Sequence, residues 1–152
     1  MIVYRLTKSK HGQDLSGLGS TLVEGRWHRP AALPVLYTAS NRSLAILEVL
    51  AHLPSPVVKP PRLTMLEIFV PDTSVKTIRD STLPKGWPSR SYQLEVQEWG
   101  TEWLRLGESL AISVPSVISR DRNILVNPTH RDFHKVRVVK AESDFLVDER
   151  LI

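Results

Sequence analysis

Glu48 sits in Leu44-Ala45-Ile46-Leu47-Glu48-Val49-Leu50-Ala51, where every other side chain is apolar. Burying a bare carboxylate is expensive, so this residue lies either on one exposed line of its helix or beside a pocket. At helical spacing Asn41, Glu48 and His52 make a polar line that suits solvent and cleft equally, and the periodicity leaves the two open. Upstream, Gly25-Arg26-Trp27-His28-Arg29-Pro30 packs two guanidiniums, an imidazole and an indole into one loop. Such a loop suits an anionic, planar ligand: an arginine fork matches phosphate oxygens, and Trp27 offers a face for a base or a nicotinamide ring. The plainer alternative is a solvated turn with Trp27 covering the core and His28 an exposed loop residue.

Other residues are weaker signals. Tyr37, in Leu36-Tyr37-Thr38-Ala39, precedes the Glu48 helix, so its ring can lie at the strand end near the first helical turns. Ser116 is a small polar residue in Val114-Pro115-Ser116-Val117-Ile118; without a GxSxG context it reads as a hydroxyl that positions a ligand, not as a nucleophile. Asn127-Pro128-Thr129-His130 is a turn signature in which Asn127 bonds local backbone. His130 and His134 stand four apart, a spacing that suits a metal only on a helix, which Pro128 disfavours; no metal site is expected.

The elements that must position these residues are short. Ile2 to Leu6, Val35 to Ala39, Leu63 to Val70, Leu110 to Ile118 and Val136 to Lys140 are rich in β-branched or aromatic residues, are bounded by turn formers, and read as strands. Asn41 to Leu53, capped by Ser40 or Asn41 and stopped by Pro54, reads as a helix with Leu44, Leu47 and Ala51 on its buried stripe. Ser91 to Leu106 reads as an amphipathic helix whose Tyr92, Val96, Trp99, Trp103 and Leu106 form a core stripe despite Gly100. Strands outnumber helices without alternating with them, which favours a single α+β domain over residues 1–152 with mostly antiparallel or mixed strands. Pro54 to Pro61 reads as an internal loop.

Composition sets the outer limits. The 152 residues are 41% hydrophobic and 24% charged, which is ordinary for a globular domain, and there is no cysteine to supply disulfides, thiolate metal sites or thiol chemistry. The longest apolar stretch, Leu44 to Leu53, is about half a membrane span and carries Glu48 and His52. With no apparent secretion signal, a cytoplasmic protein is expected. A net charge of +4 would suit a polyanion, but the cations are scattered without a basic block, so direct nucleic-acid binding is not expected. No GxGxxG or GxxxxGK[ST] fingerprint occurs, so a nucleotide must be held another way.

Taken in order, Val3-Tyr4-Arg5, Gly25-Arg26-Trp27, Val35-Leu36-Tyr37-Thr38-Ala39, Leu47-Glu48-Val49-Leu50-Ala51-His52, Leu83-Pro84-Lys85-Gly86-Trp87, Val114-Pro115-Ser116, Asn127-Pro128-Thr129-His130 and Phe145-Leu146-Val147-Asp148-Glu149-Arg150-Leu151 resemble the RES-domain family, which is named for an arginine, a glutamate and a serine. These fall on Arg26, Glu48 and Ser116, with a recurrent tyrosine on Tyr37. The resemblance implies a fold similar to ADP-ribosyltransferase toxins. It also implies a toxin of a type II toxin–antitoxin pair that depletes NAD⁺ by hydrolysis or phosphorolysis, or alternatively a mono-ADP-ribosyltransferase acting on a protein. No resident cofactor is implied: NAD⁺ is the substrate and inorganic phosphate a candidate co-substrate. The implied partner is an Xre-like helix-turn-helix antitoxin, through which any nucleic-acid contact would run. Glu48, Arg26 and Tyr37 would carry catalysis, and Arg26, Tyr37, Ser116, Arg5, Trp27 and Asn127 would contact NAD⁺.

Overall fold

The computed structural model describes residues 1–53 and 61–152; the proline-rich loop reading falls, apart from Pro61, outside the described residues. Among these, seven strands make one sheet: β1 (Ile2–Lys8), β2 (Leu36–Ala39), β3 (Leu63–Phe69), β4 (Val75–Thr77), β5 (Ala111–Pro115), β6 (Arg122–Val126) and β7 (Arg137–Phe145). Their spatial order is β4-β5-β6-β2-β1-β3-β7, and only β4 and β5 run parallel. Two α-helices, α1 (Arg42–Leu50) and α2 (Leu94–Leu106), complete an α+β domain.

Side-chain alternation divides the sheet into two faces. Val3, Leu36, Leu66, Ile68, Ile124 and Val126 fill one, closed by Leu15, Phe133 and Val136 from loops. On the other face the helices share the covering. Leu44 and Ala45 of α1 pack on Leu6, Ala39 and Met65, while Val96, Trp99 and Leu104 of α2 pack on Ile112, Val114 and Leu125. Glu48 reaches the sheet from the α1 side, where β2 and β6 pass between the two helices.

The sheet is continuous but uneven. β1 and β3 pair along seven residues, whereas β1 meets β2 only at Tyr4 and Ala39. Past that pair the two strands diverge, and Arg5 fills the gap by donating from Nη1 to the Tyr37 carbonyl at 2.8 Å.

Candidate active site

Asn41 ends the β2–α1 connection in extended backbone, and its side chain accepts the Leu44 N–H at 2.8 Å, which starts α1. The buried side of α1 keeps Leu44 of the expected stripe, with Ala45 beside it, whereas Leu47 and Ala51 are exposed. Glu48, one turn after Leu44, therefore points along the inner face, and its Oε1 accepts from Ser116 Oγ at 2.9 Å and from Asn123 Nδ2 at 2.6 Å. Ser116 follows the last residue of β5, and Asn123 stands opposite Val114 across the β5–β6 ladder, so one strand pair supplies both donors. The Ser116 oxygen also accepts from Ile118 N–H at 3.1 Å, which leaves the hydroxyl proton for Glu48. Among the described residues Oε2 has no hydrogen-bond partner, so the carboxylate is held by one oxygen and presents the other.

Arg26 approaches the same group from the loop before β2. Its Nη1 donates to the Trp87 carbonyl at 2.8 Å and the Ser89 carbonyl at 2.6 Å, and the guanidinium lies 5.7 Å from the Tyr92 ring centre. Burial lowers its basicity, opposed by nearby Tyr92, Glu48 and Tyr37, but an arginine keeps its charge. Two glycines let this loop dock. A Cβ on Gly100 of α2 would overlap the Trp27 carbonyl, and one on Gly25 would stand 2.5 Å from His28 Cε1 and 2.8 Å from the Tyr37 hydroxyl. The mid-helix Gly100, a mark against α2 on propensity, is where the loop backbone lies against the helix.

Tyr37 projects from β2 onto the Glu48 face. Its hydroxyl meets His28 Nδ1 at 2.8 Å and accepts from Trp27 N–H at 3.3 Å. Burial pushes the phenol well above its usual range, and the Trp27 hydrogen bond opposes this only in part. At the rim, Tyr92 and His52 touch through the phenol oxygen and Nε2 at 3.2 Å, and His52 Nδ1 donates to the Glu48 carbonyl at 2.6 Å.

The structure thus brings Glu48, Ser116, Arg26 and Tyr37 together and corrects several other expectations. Trp27 is 2% exposed and packs edge-on against Trp99, 5.7 Å between ring centres, so it is a core residue with no face free for a ligand. Asn127 is fully buried at the far end of β6. Its Nδ2 donates to the Leu104 carbonyl and its Oδ1 accepts from Thr129, which leaves nothing for a ligand. Arg5 leaves β1 on the face of Val3, paired with Leu66, and reaches the site only beneath Tyr37; its Nε is buried without a hydrogen-bond partner. Of the two loop arginines, Arg26 turns inward and Arg29 outward, to Glu98 at 3.5 Å. His28, expected in solvent, is 2% exposed. Tyr92 precedes α2 and lines the rim instead of joining the core stripe.

Asn123 was missed because β6 was missed: only three apolar residues, Ile124 to Val126, mark that strand. Those three residues before Asn127-Pro128 were the available signal, and a polar residue leading such a run is a candidate cleft residue. No group of three His, Asp or Glu side chains among the described residues is arranged to hold a metal. No helix among them is long and apolar enough to cross a membrane.

Comparison with known proteins places the chain in a family. The family model described as "RES domain" matches residues 2–148. A Photorhabdus laumondii protein named "Toxin Res" is 35% identical over all of this chain and 97% of its own length. One of the same name from Pseudomonas putida is 36% identical over 99% of both chains. A Sphingobium protein named "Prs ADP-ribosylating toxin" is 32% identical over 95% of this chain and 91% of its own. Among solved structures, the M. tuberculosis MbcT–MbcA toxin–antitoxin complex contains a chain of the same fold, with a TM-score of 0.76 at 19% identity, covering 93% of this chain and 82% of that one. With a family model spanning nearly its whole length and relatives similar from end to end, this chain belongs to the RES-domain family.

Proposed function

We propose that this protein is a toxin that cleaves the bond between nicotinamide and ribose in NAD⁺ and is held in check by a cognate antitoxin with an Xre-like helix-turn-helix region. The observation that carries the chemistry is the Glu48 carboxylate, fixed through Oε1 by Ser116 and Asn123 and presenting Oε2 beside Arg26 and Tyr37. Breaking this bond expels a neutral base from a cation and builds positive charge on the ribose, so little acid catalysis is required, as for a glycoside whose leaving group is already activated. A carboxylate held still beside that charge stabilises it without reorganising. Ser116, expected to contact NAD⁺ itself, is 1% exposed with its proton given to Glu48, so it serves by holding that carboxylate. Arg26 holds the pyrophosphate, while Arg5, buried beneath Tyr37 and bonded to its carbonyl, supports that strand and does not reach the ligand. Tyr37 offers its ring to the nicotinamide riboside end.

The toxin reading is supported by the relatives named as toxins and by the fold shared with a chain from a toxin–antitoxin complex. Transfer of ADP-ribose to a protein is the second reading, favoured by the name of the Sphingobium relative. Purified protein incubated with NAD⁺, with and without phosphate, should release nicotinamide; a preparation that releases none contradicts the reading. Label from NAD⁺ retained on a protein band of a lysate would select transfer over degradation. Glu48→Gln keeps an acceptor at Oε1 for Ser116 and Asn123 while removing the charge. It should fold like the wild type and lose at least about 100-fold in rate, the usual size of an electrostatic contribution.

A further inference from the structure

His28 is a buried imidazole to which the reaction above gives no part. Its Nε2 faces two backbone carbonyls, Ser20 at 2.7 Å and Val23 at 3.0 Å, and its Nδ1 faces the Tyr37 hydroxyl at 2.8 Å. Carbonyls only accept, so the proton belongs on Nε2, and a neutral ring then has a bare lone pair on Nδ1. The Tyr37 hydroxyl already accepts from Trp27 N–H and must send its own proton to that lone pair. Gly25 leaves the room for this contact, since a Cβ there would collide with both partners.

We infer that His28 is a positioning residue for the reaction proposed above: as the Nε2–H tautomer it accepts the Tyr37 proton and so fixes the Tyr37 ring against the Glu48 cleft. The phenol then meets substrate with its ring and has no proton to donate. His28 also ties the ring to the 20–23 segment, and the inference concerns only the Nδ1 contact, so the two must be separated.

Two substitutions separate them. In His28→Asn the side-chain oxygen falls near the place of Nδ1 and still accepts from Tyr37, while the bond to the Ser20 and Val23 carbonyls is lost. In His28→Gln the amide nitrogen reaches the place of Nε2 and keeps that bond, while the acceptor for Tyr37 is lost. The expected result is a His28→Gln protein that melts close to wild type yet loses about tenfold or more in kcat/KM for NAD⁺, because small misplacements of a positioning group are costly. Its effect should not add to that of Tyr37→Phe. His28→Asn, assayed below its lowered Tm, should stay within about threefold of wild type, in keeping with the modest worth of the anchor bond it loses. A His28→Gln enzyme as active as wild type, or losses that simply follow stability in both variants, would overturn the inference.

A second readout does not depend on turnover. Long-range proton–nitrogen NMR of histidine-labelled protein should show His28 protonated on Nε2, with a slowly exchanging Tyr37 hydroxyl proton present in wild type and His28→Asn and absent in His28→Gln. Protonation on Nδ1 overturns the inference whatever the enzyme does. Should the wild type release no nicotinamide, the reaction fails separately, and NAD⁺ affinity by calorimetry replaces kcat/KM in ranking the two variants.

Discussion

Among the described residues the Glu48 carboxylate is held by neutral donors and by no lysine or arginine hydrogen bond, so its orientation depends on Ser116 and Asn123. Asn123→Ala removes the shorter contact and frees the carboxylate to rotate. The expected loss is at least about tenfold in kcat with the fold intact, measured by nicotinamide release and far-UV circular dichroism. Asn127→Ala, just beyond the other end of β6, is the control: it leaves the Leu104 carbonyl and the Thr129 donors without partners, so about 2 kcal/mol of stability should go while kcat below Tm stays unchanged. Tyr37 gives a pH signature of the buried phenol. Burial holds its folded pKa above the ordinary phenol value of about 10, so the unfolded chain ionises first, and the stability present below pH 10 is lost as pH rises above it. Urea midpoints taken above pH 10 should therefore fall more steeply for wild type than for Tyr37→Phe, by up to about 1.4 kcal/mol per pH unit for the one extra proton. Equal slopes would contradict the burial of that hydroxyl.

Helix α2 supports the site from behind. Gly100→Ala gains helix propensity worth about 1 kcal/mol, but the new methyl overlaps the Trp27 carbonyl, which is backbone and cannot rotate away. Overpacking of this kind costs about 1–3 kcal/mol, so the net effect should be a lower Tm together with a raised KM as the Arg26 loop is pushed off. An unchanged KM would mean that the loop holds its place without the helix. This contact also shows what a sequence can carry. A cap at Ser40 or Asn41, the two helices and five of the seven described strands follow from local patterning, and Glu48 is conspicuous because its neighbours are apolar. Which way Glu48 faces was not legible, because the answer lies on β5 and β6, and β6 announces itself by only three apolar residues. Trp27 suits a ligand by its type, and the resemblance implies a ligand contact for Asn127 as well; burial decides otherwise for both, and burial is a property of partners far away in the chain. The solvent-exposed place expected for His28 fails for the same reason.

Across the whole molecule the site has no separate foundation. Glu48 comes from α1, Ser116 and Asn123 from β5 and β6, Tyr37 from β2, and Arg26 from a loop resting on α2, all on the face that the two helices share. Loss of activity and loss of the Trp27–Trp99 packing should therefore coincide in a denaturant titration followed by nicotinamide release and by tryptophan fluorescence; an activity loss well before the fluorescence change would show that the site opens on its own. The distance along the chain between the carboxylate and its holders has a consequence in time. Glu48 and Asn123 are separated by 75 residues, which a ribosome takes roughly 4–15 s to add at ordinary rates. During that interval the emerging chain already carries Arg26, Tyr37 and Glu48 but lacks the strand pair that orients the carboxylate. On the function proposed above, the cell that makes this protein would meet its chemistry only once synthesis is nearly complete, and an antitoxin already present would have those seconds to be at hand.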